Sequence, residues 1–172
     1  MDALMLAASN PVAWTWLYLL IFFMVWRKDR WRGLLLFVLA VAIALGLADM
    51  VAGIFKHTGL LKGLLPNFPV RLRPMHTPEL EGLVHVIKQG GKYGTVSAHA
   101  ATMVSLAIPS IAVIARRWFS WLMIVVVVLI CYSRIYMAYH FPMDIVLGII
   151  TGAISGFVAL WLYRLIKSKW SI

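Results

Sequence analysis

Negative charge and cysteine are what this chain has least of. Its 172 residues include six Asp and Glu and one cysteine, Cys131, inside an apolar run. A single buried thiol excludes a disulfide framework and a cysteine-based metal site. So few carboxylates against 16 Lys and Arg leave a formal charge of +10. In a soluble chain that excess would point to nucleic acid, but only 13% of the residues are charged and 63% are apolar. A mean hydropathy of +0.90 belongs to a membrane protein, because a small soluble domain cannot cover that much apolar surface. The basic residues lie between the apolar runs, so the bilayer and its anionic lipids are the expected partners and nucleic acid is not. His57, His76 and His85 show no HExxH-type spacing, so no metal site is expected. Met1-Asp2-Ala3 carries no basic n-region, so neither is a cleavable signal peptide.

What is present is a series of apolar runs that read as membrane spans, against the about 20 residues a bilayer asks of a helix. They cover Pro11 to Trp26, Gly33 to Phe55, about Thr95 to Ala115, Trp118 to Ala138, and about Phe141 to Tyr163. Pro142 suits the first turn of the last of these, where its missing N–H is no loss. The whole chain, 1–172, reads as one all-α, polytopic membrane helical bundle of about five transmembrane helices. With five spans, the basic turn at 27–32, Arg116-Arg117 and the tail with Arg164, Lys167 and Lys169 share one side. The positive-inside rule makes that side cytoplasmic. The opposite side still receives Lys56, Lys62, Arg71, Arg73, Lys88 and Lys92, an exception that substrate binding would explain. Between residues 56 and 94, Thr77 can cap and Pro78 can start a short amphipathic helix using Leu80, Leu83, Val84 and Ile87, ended by Gly90-Gly91. Such a helix would lie at the interface, either covering the bundle or steering lipid.

The unusual polar residues converge on that outer side. Asp49 and Lys56 stand at the outer end of the second span, Arg71 and Arg73 in the outer segment, and Ser97 and His99 at the start of the third span. Arg134, His140 and Asp144 flank the turn between the fourth and fifth. His140 and Asp144 are four apart, a spacing that lets a carboxylate hold an imidazole in one tautomer. Arg134 offers a planar fork of donors suited to phosphate oxygens, and the first turn of a helix at Ser97 and His99 favours an anion. Taken singly, each residue has a plainer explanation: a snorkelling arginine, a packed interfacial histidine, a capping serine. Jointly they describe a phosphate site with a nucleophile in it.

These residues carry a resemblance. Ser133-Arg134, five residues, His140, three residues, Asp144 resembles the third signature of the type-2 phosphatidic-acid phosphatase family of membrane lipid phosphatases, which shares its site with vanadium haloperoxidases. Val96-Ser97-Ala98-His99 resembles the second signature, usually Pro-Ser-Gly-His, and Arg73-Pro74 the end of the first. The lysine of the first signature normally stands with six residues between it and that arginine, and here the position is Pro66. Lys56 takes its place in this reading, with an insertion between it and Arg73, and Lys62 is the other candidate.

The resemblance implies that His140 attacks phosphorus to give a phosphohistidine while Asp144 orients the ring, and that His99 protonates the leaving oxygen. It implies that Lys56, Arg73, Ser97 and Arg134 bind the phosphoryl oxygens, with no metal and no cofactor. The implied substrate is a lipid phosphate or diphosphate entering sideways from the bilayer, with lipid A 1-phosphate and undecaprenyl diphosphate ahead of phosphatidylglycerophosphate. The implied location is the bacterial inner membrane, with the site facing the periplasm or outside. A rhomboid-like protease using Ser97 and His140 gains little from so many arginines. A channel would need a polar path that the spans, Asp49 apart, do not offer. The alternative from another class is a non-catalytic binding protein or transporter for anionic lipids.

Overall fold

The computed structural model describes residues 1–56 and 70–170, the side chain of 170 excepted. Lys62 and Pro66 lie outside the described residues, as does His57. Five α-helices follow in order: α1 (Asp2–Ser9), α2 (Thr15–Ile54), α3 (Ala98–Ile114), α4 (Arg117–Tyr136) and α5 (Pro142–Trp170). α2 contains two of the expected spans. Its helical path breaks at Arg30, at φ 57° and ψ −165°, inside the basic turn where the sequence places a boundary. Gly33 lets that turn close, since a Cβ there would lie 2.3 Å from Cβ of Asp29.

The two halves of α2 form a hairpin. Leu17, Ile21 and Val25 of the first half and Leu36, Phe37, Val41 and Ala44 of the second share one buried cluster with Met103, Phe119, Met123 and Leu160. The outward faces stay apolar and uncovered, with Leu19, Leu35, Trp121, Ile154 and Trp161 all more than half exposed. In water such a surface would be a liability, and in a bilayer it is the lipid-facing side. α2, α4 and α5 are long and apolar enough to cross a membrane, and α3 is a shorter apolar helix.

α3 and α5 pack closest, for a local reason. Gly148, Gly152 and Gly156 are spaced four apart, so they line one face of α5. A Cβ on Gly148 would lie 2.6 Å from the Ser97 carbonyl oxygen, and one on Gly152 would lie 2.3 Å from that of Ala101. Without side chains on that stripe, backbone meets backbone, as in other small-residue membrane interfaces. This contact sets Asp144, near the start of α5, beside Ser97, and the Ser97 N–H donates to the Asp144 carbonyl at 3.1 Å.

At the basic end, Lys167 pairs with Asp29 at 2.5 Å, the Tyr163 hydroxyl donates to the same carboxylate, and Lys28 donates to the Val113 carbonyl at 2.6 Å. These links gather the turn at 27–32, the end of α3 and the tail of α5 on one side, as the alternation of spans requires.

Two expectations need correction. The amphipathic helix over 77–90 does not form, and only Pro78–Leu80 makes a single 3-10 turn. Gly82 adopts φ +76°, which ends any right-handed helix there. Leu83, meant for the apolar face, is 79% exposed. A helix this short needs its whole apolar face packed to persist, and here Leu83 is left out of the packing. The segment is instead a strap, tied by an antiparallel bridge between Leu72 and Tyr93. The second difference is α1, which the apolar runs did not suggest. Asn10 accepts from the Val12 N–H at 3.1 Å and turns the chain, and Trp14 donates to the Ala8 carbonyl at 2.8 Å, folding α1 back over the end of the bundle opposite the basic turns.

Candidate active site

The strap, the α4–α5 turn and the start of α3 meet at that same end. His140 and Asp144 are 2% and 0% exposed. Nδ1 of His140 lies 2.9 Å from the Gly94 carbonyl oxygen and 3.5 Å from Oδ2 of Asp144. A carbonyl can only accept, so Nδ1 carries the proton and Nε2 presents its lone pair. The sequence assigns the ring's orientation to Asp144 alone. The structure makes Gly94, forty-six residues away in sequence, the nearer partner, with the carboxylate behind it.

Asp144 is itself held on both oxygens. Oδ2 accepts the Phe141 N–H at 2.8 Å, an N-terminal cap of α5, and Oδ1 accepts from Arg71. Arg71 stacks over the Phe141 ring at 4.7 Å. Sequence reasoning placed Arg71 on the correct side but gave it no role. The signal was its spacing from Arg73, since residues two apart in an extended segment point the same way.

Arg73 reaches the pocket from the strap. Its N–H donates to the Lys92 carbonyl at 3.0 Å and its Nε to the Tyr93 carbonyl at 3.0 Å. Gly94 makes room for it. A Cβ at that position would lie 2.8 Å from Cγ of Arg73 and 3.2 Å from Cε1 of His140. Tyr139 is the common platform, with the Arg73 guanidinium 5.4 Å from its ring centre and that of Arg134 at 4.1 Å. Sequence reasoning missed Tyr139, although it directly precedes His140.

Arg134 is 7% exposed. One terminal nitrogen donates to Ser9, while its Nε is a buried donor with no hydrogen-bond partner among the described residues. An orphaned charged donor in an interior is costly unless an anion completes it. His99 reaches the backbone of the same Ser9, so the end of α1 touches both groups. A polar pocket of about 380 Å³ lies between Arg134, Tyr139, Ser9 and Lys88.

Lys56 completes the cluster. Burial, followed by repulsion from Arg73, lowers its pKa to about 8, while Asp49 pulls it up and Arg134 pushes it further down. Burial likewise lowers the pKa of His140, against the opposing effects of Asp144 and the Gly94 carbonyl, with Arg73 and Arg134 adding to the decrease. The ring is therefore a neutral base near pH 7. Ser97 is fully buried and caps α3 by accepting the Ala100 N–H at 3.4 Å. That is the plainer of the two roles the sequence allows it. The expected residues Lys56, Arg73, Ser97, His99, Arg134, His140 and Asp144 thus come to one end of the bundle. Three cations and two imidazoles there can bind a tetrahedral oxyanion and deliver a nitrogen nucleophile to it. Among the described residues no three His, Cys, Asp or Glu side chains group as a metal site.

Comparison with known proteins gives the family. The family model of the PAP2 superfamily matches residues 37–168. A lipid A 4'-phosphatase of Porphyromonas gingivalis is 32% identical over 91% of this chain and 64% of its own length. A lipid A 4'-phosphatase of Bacteroides thetaiotaomicron is 31% identical over 98% of this chain and 70% of its own. No solved structure matches. The matched stretch takes in the strap, the cap of α3 and the α4–α5 turn, and the chain belongs to the PAP2 superfamily.

Proposed function

We propose that this membrane protein is a lipid phosphatase acting on a lipid A phosphate, with His140 as the nucleophile. The observation that carries the reading is the buried, neutral imidazole of His140, its proton fixed on Nδ1 by Gly94, set among Lys56, Arg73 and Arg134 with one Arg134 donor unfilled.

Nε2 of His140 attacks phosphorus in line with the ester oxygen. The P–N bond forms as the P–O bond breaks, and His99, as its protonated form, gives its proton to the departing lipid alkoxide. Asp144 stays ionised and stabilises the positive charge that develops on the ring. Lys56, Arg73 and Arg134 hold the three equatorial oxygens, where most transition-state charge resides. Water then attacks the phosphohistidine, the now neutral His99 takes its proton, and inorganic phosphate leaves with His140 restored. The net reaction is a lipid phosphate plus water giving a lipid alcohol plus phosphate. No step requires a metal ion, since the fixed cations neutralise the charge.

The names of the two bacterial relatives favour the 4'-phosphate over the 1-phosphate. Undecaprenyl diphosphate and phosphatidylglycerophosphate offer the same terminal group and follow in that order. The pocket lies on the side opposite the basic turns, which supports a site at the outer face of the inner membrane. Purified protein in detergent, offered lipid A bearing phosphate at either or both positions and the other two lipids, tests the reading. Release of phosphate from the 4' position, abolished in His140→Ala and His99→Ala, is expected. Binding of these lipids without any phosphate release would instead support an anionic-lipid carrier.

A further inference from the structure

Beside the catalytic groups a second cavity opens, apolar and of about 720 Å³, bounded by the α2 hairpin, α3, α4 and the α1 end. Three of its walls run the same way. Two are polar at the mouth and apolar further in, from Asp49 back to Val41 and from His99 to Leu106, and the third is largely aromatic, from Trp14 past Tyr18 to Phe22. Seven or eight residues of helix span about 10–12 Å, so the cavity descends that far into the bundle from the imidazole of His99. Gly46 stands midway along the Asp49 wall. A Cβ built there meets nothing within 4 Å, so the open volume lies directly against its backbone.

We infer that this cavity receives one acyl chain of the phosphorylated substrate, and that Gly46 is the gap that admits it. The inference rests on the phosphatase reading above and deepens it by assigning the apolar part of the substrate. The occupant follows from what lines the two ends. Ser9, Asp49, His99 and Thr102 are gathered at or near the mouth, and further in the lining is apolar apart from the hydroxyl of Tyr18; His99 and Ser9 also border the phosphate pocket through Arg134. A molecule filling both spaces has an anionic head at His99 and a hydrocarbon tail that turns inward from it. An unphosphorylated bilayer lipid fits the tail site but leaves the cations and the free Arg134 donor unmatched.

Lipid tails are as apolar as the cavity wall, so the tail gains little by leaving the bilayer. Its contribution is orientation. A tail anchored in the cavity fixes the phosphorus against Nε2 of His140, and a displacement of about 1 Å at the reacting centre costs on the order of a hundredfold in rate.

The test is Gly46→Phe, which fills the cavity from a helix position free of neighbours. It is compared with Leu39→Phe, which places the same ring on an exposed face of the same helix. For each protein kcat/KM is measured on a long-chain lipid phosphate and on a short-chain, water-soluble alkyl phosphate, with folding checked by melting temperature in detergent. The expected result is a fall of roughly tenfold or more in the long-to-short ratio for Gly46→Phe, with the ratio unchanged for Leu39→Phe. An unchanged ratio in Gly46→Phe, whether activity is kept on both substrates or lost equally on both, overturns the inference and leaves the cavity to ordinary bilayer lipid. Failure of the unsubstituted protein to release phosphate from either substrate overturns the phosphatase reading instead.

Discussion

His140 and Arg73 share one neighbour, Gly94, whose carbonyl accepts from Nδ1 of the imidazole at 2.9 Å and whose bare α-carbon faces the arginine stem. A methyl group there would lie 2.8 Å from Cγ and 3.0 Å from Nε of Arg73, and 3.2 Å from Cε1 of His140. Gly94→Ala therefore displaces the proposed nucleophile and a proposed phosphate ligand together. Activity on a lipid phosphate should fall roughly ten- to a hundredfold, mainly in kcat, while the melting temperature in detergent changes little. Full activity in this variant would show that the strap tolerates the methyl group.

Arg71 should matter although the family's signature does not require it. It donates to Asp144, whose carboxylate is 1% exposed beside a half-exposed guanidinium. Arg71→Ala leaves that carboxylate with the Phe141 N–H at 2.8 Å and the His140 ring at 3.5 Å. We expect kcat to fall about tenfold, equivalent to 1.4 kcal/mol of transition-state stabilisation, and Asp144→Asn to cost more. Arg71→Lys should recover part of the loss, since it keeps the charge but not the stacking on Phe141.

The pH profile follows from two groups. The imidazole of His140 must be neutral to attack, and burial holds its pKa below the ordinary 6.5, so the acid limb of kcat/KM set by this group should lie below that value. Lys56 must be charged to hold phosphate and loses its proton around pH 8. The profile of kcat/KM, which reports the free enzyme, should therefore decline above about pH 8. Lys56→Arg should move that alkaline limb upward because a guanidinium stays protonated. An unmoved limb would remove Lys56 from the phosphate site.

Glycines in two different settings should respond oppositely to alanine and larger residues. Gly152 packs against the Ala101 carbonyl, where a Cβ would stand at 2.3 Å. Gly152→Val should force α5 from α3 and cost about 1–3 kcal/mol or more. Gly46→Ala meets nothing and should raise helix stability by about 0.5–1 kcal/mol. Thermal melts of the two variants in one detergent decide the comparison.

Activity should persist in EDTA, because Lys56, Arg73 and Arg134 supply the positive charge a metal ion provides elsewhere. Vanadate, which adopts the five-coordinate shape of the transferring phosphoryl group, should inhibit. Loss of activity on chelation, restored by a divalent cation, would count against this mechanism.

The sequence by itself determined the membrane class, the hairpin turn at 27–32 and the span order. It also brought Arg134, His140 and Asp144 to one turn. These are consequences of local pattern: apolar run length, basic punctuation and the four-residue repeat of a helix. The tertiary structure decided the rest. Gly94 reaches His140 across 46 residues, Arg71 reaches Asp144 across 73, and Ser9 reaches Arg134 across 125. Such contacts depend on how helices pack, above all on the glycine stripe of α5 against α3, and no period in the chain encodes them. The expected helix over 77–90 failed for the same reason. Its apolar spacing was real, but a stripe becomes a helix face only where something packs against it, and Leu83 faces outward. The cavity beside His99 is likewise a property of three walls at once, visible only when α2, α3 and α4 stand together.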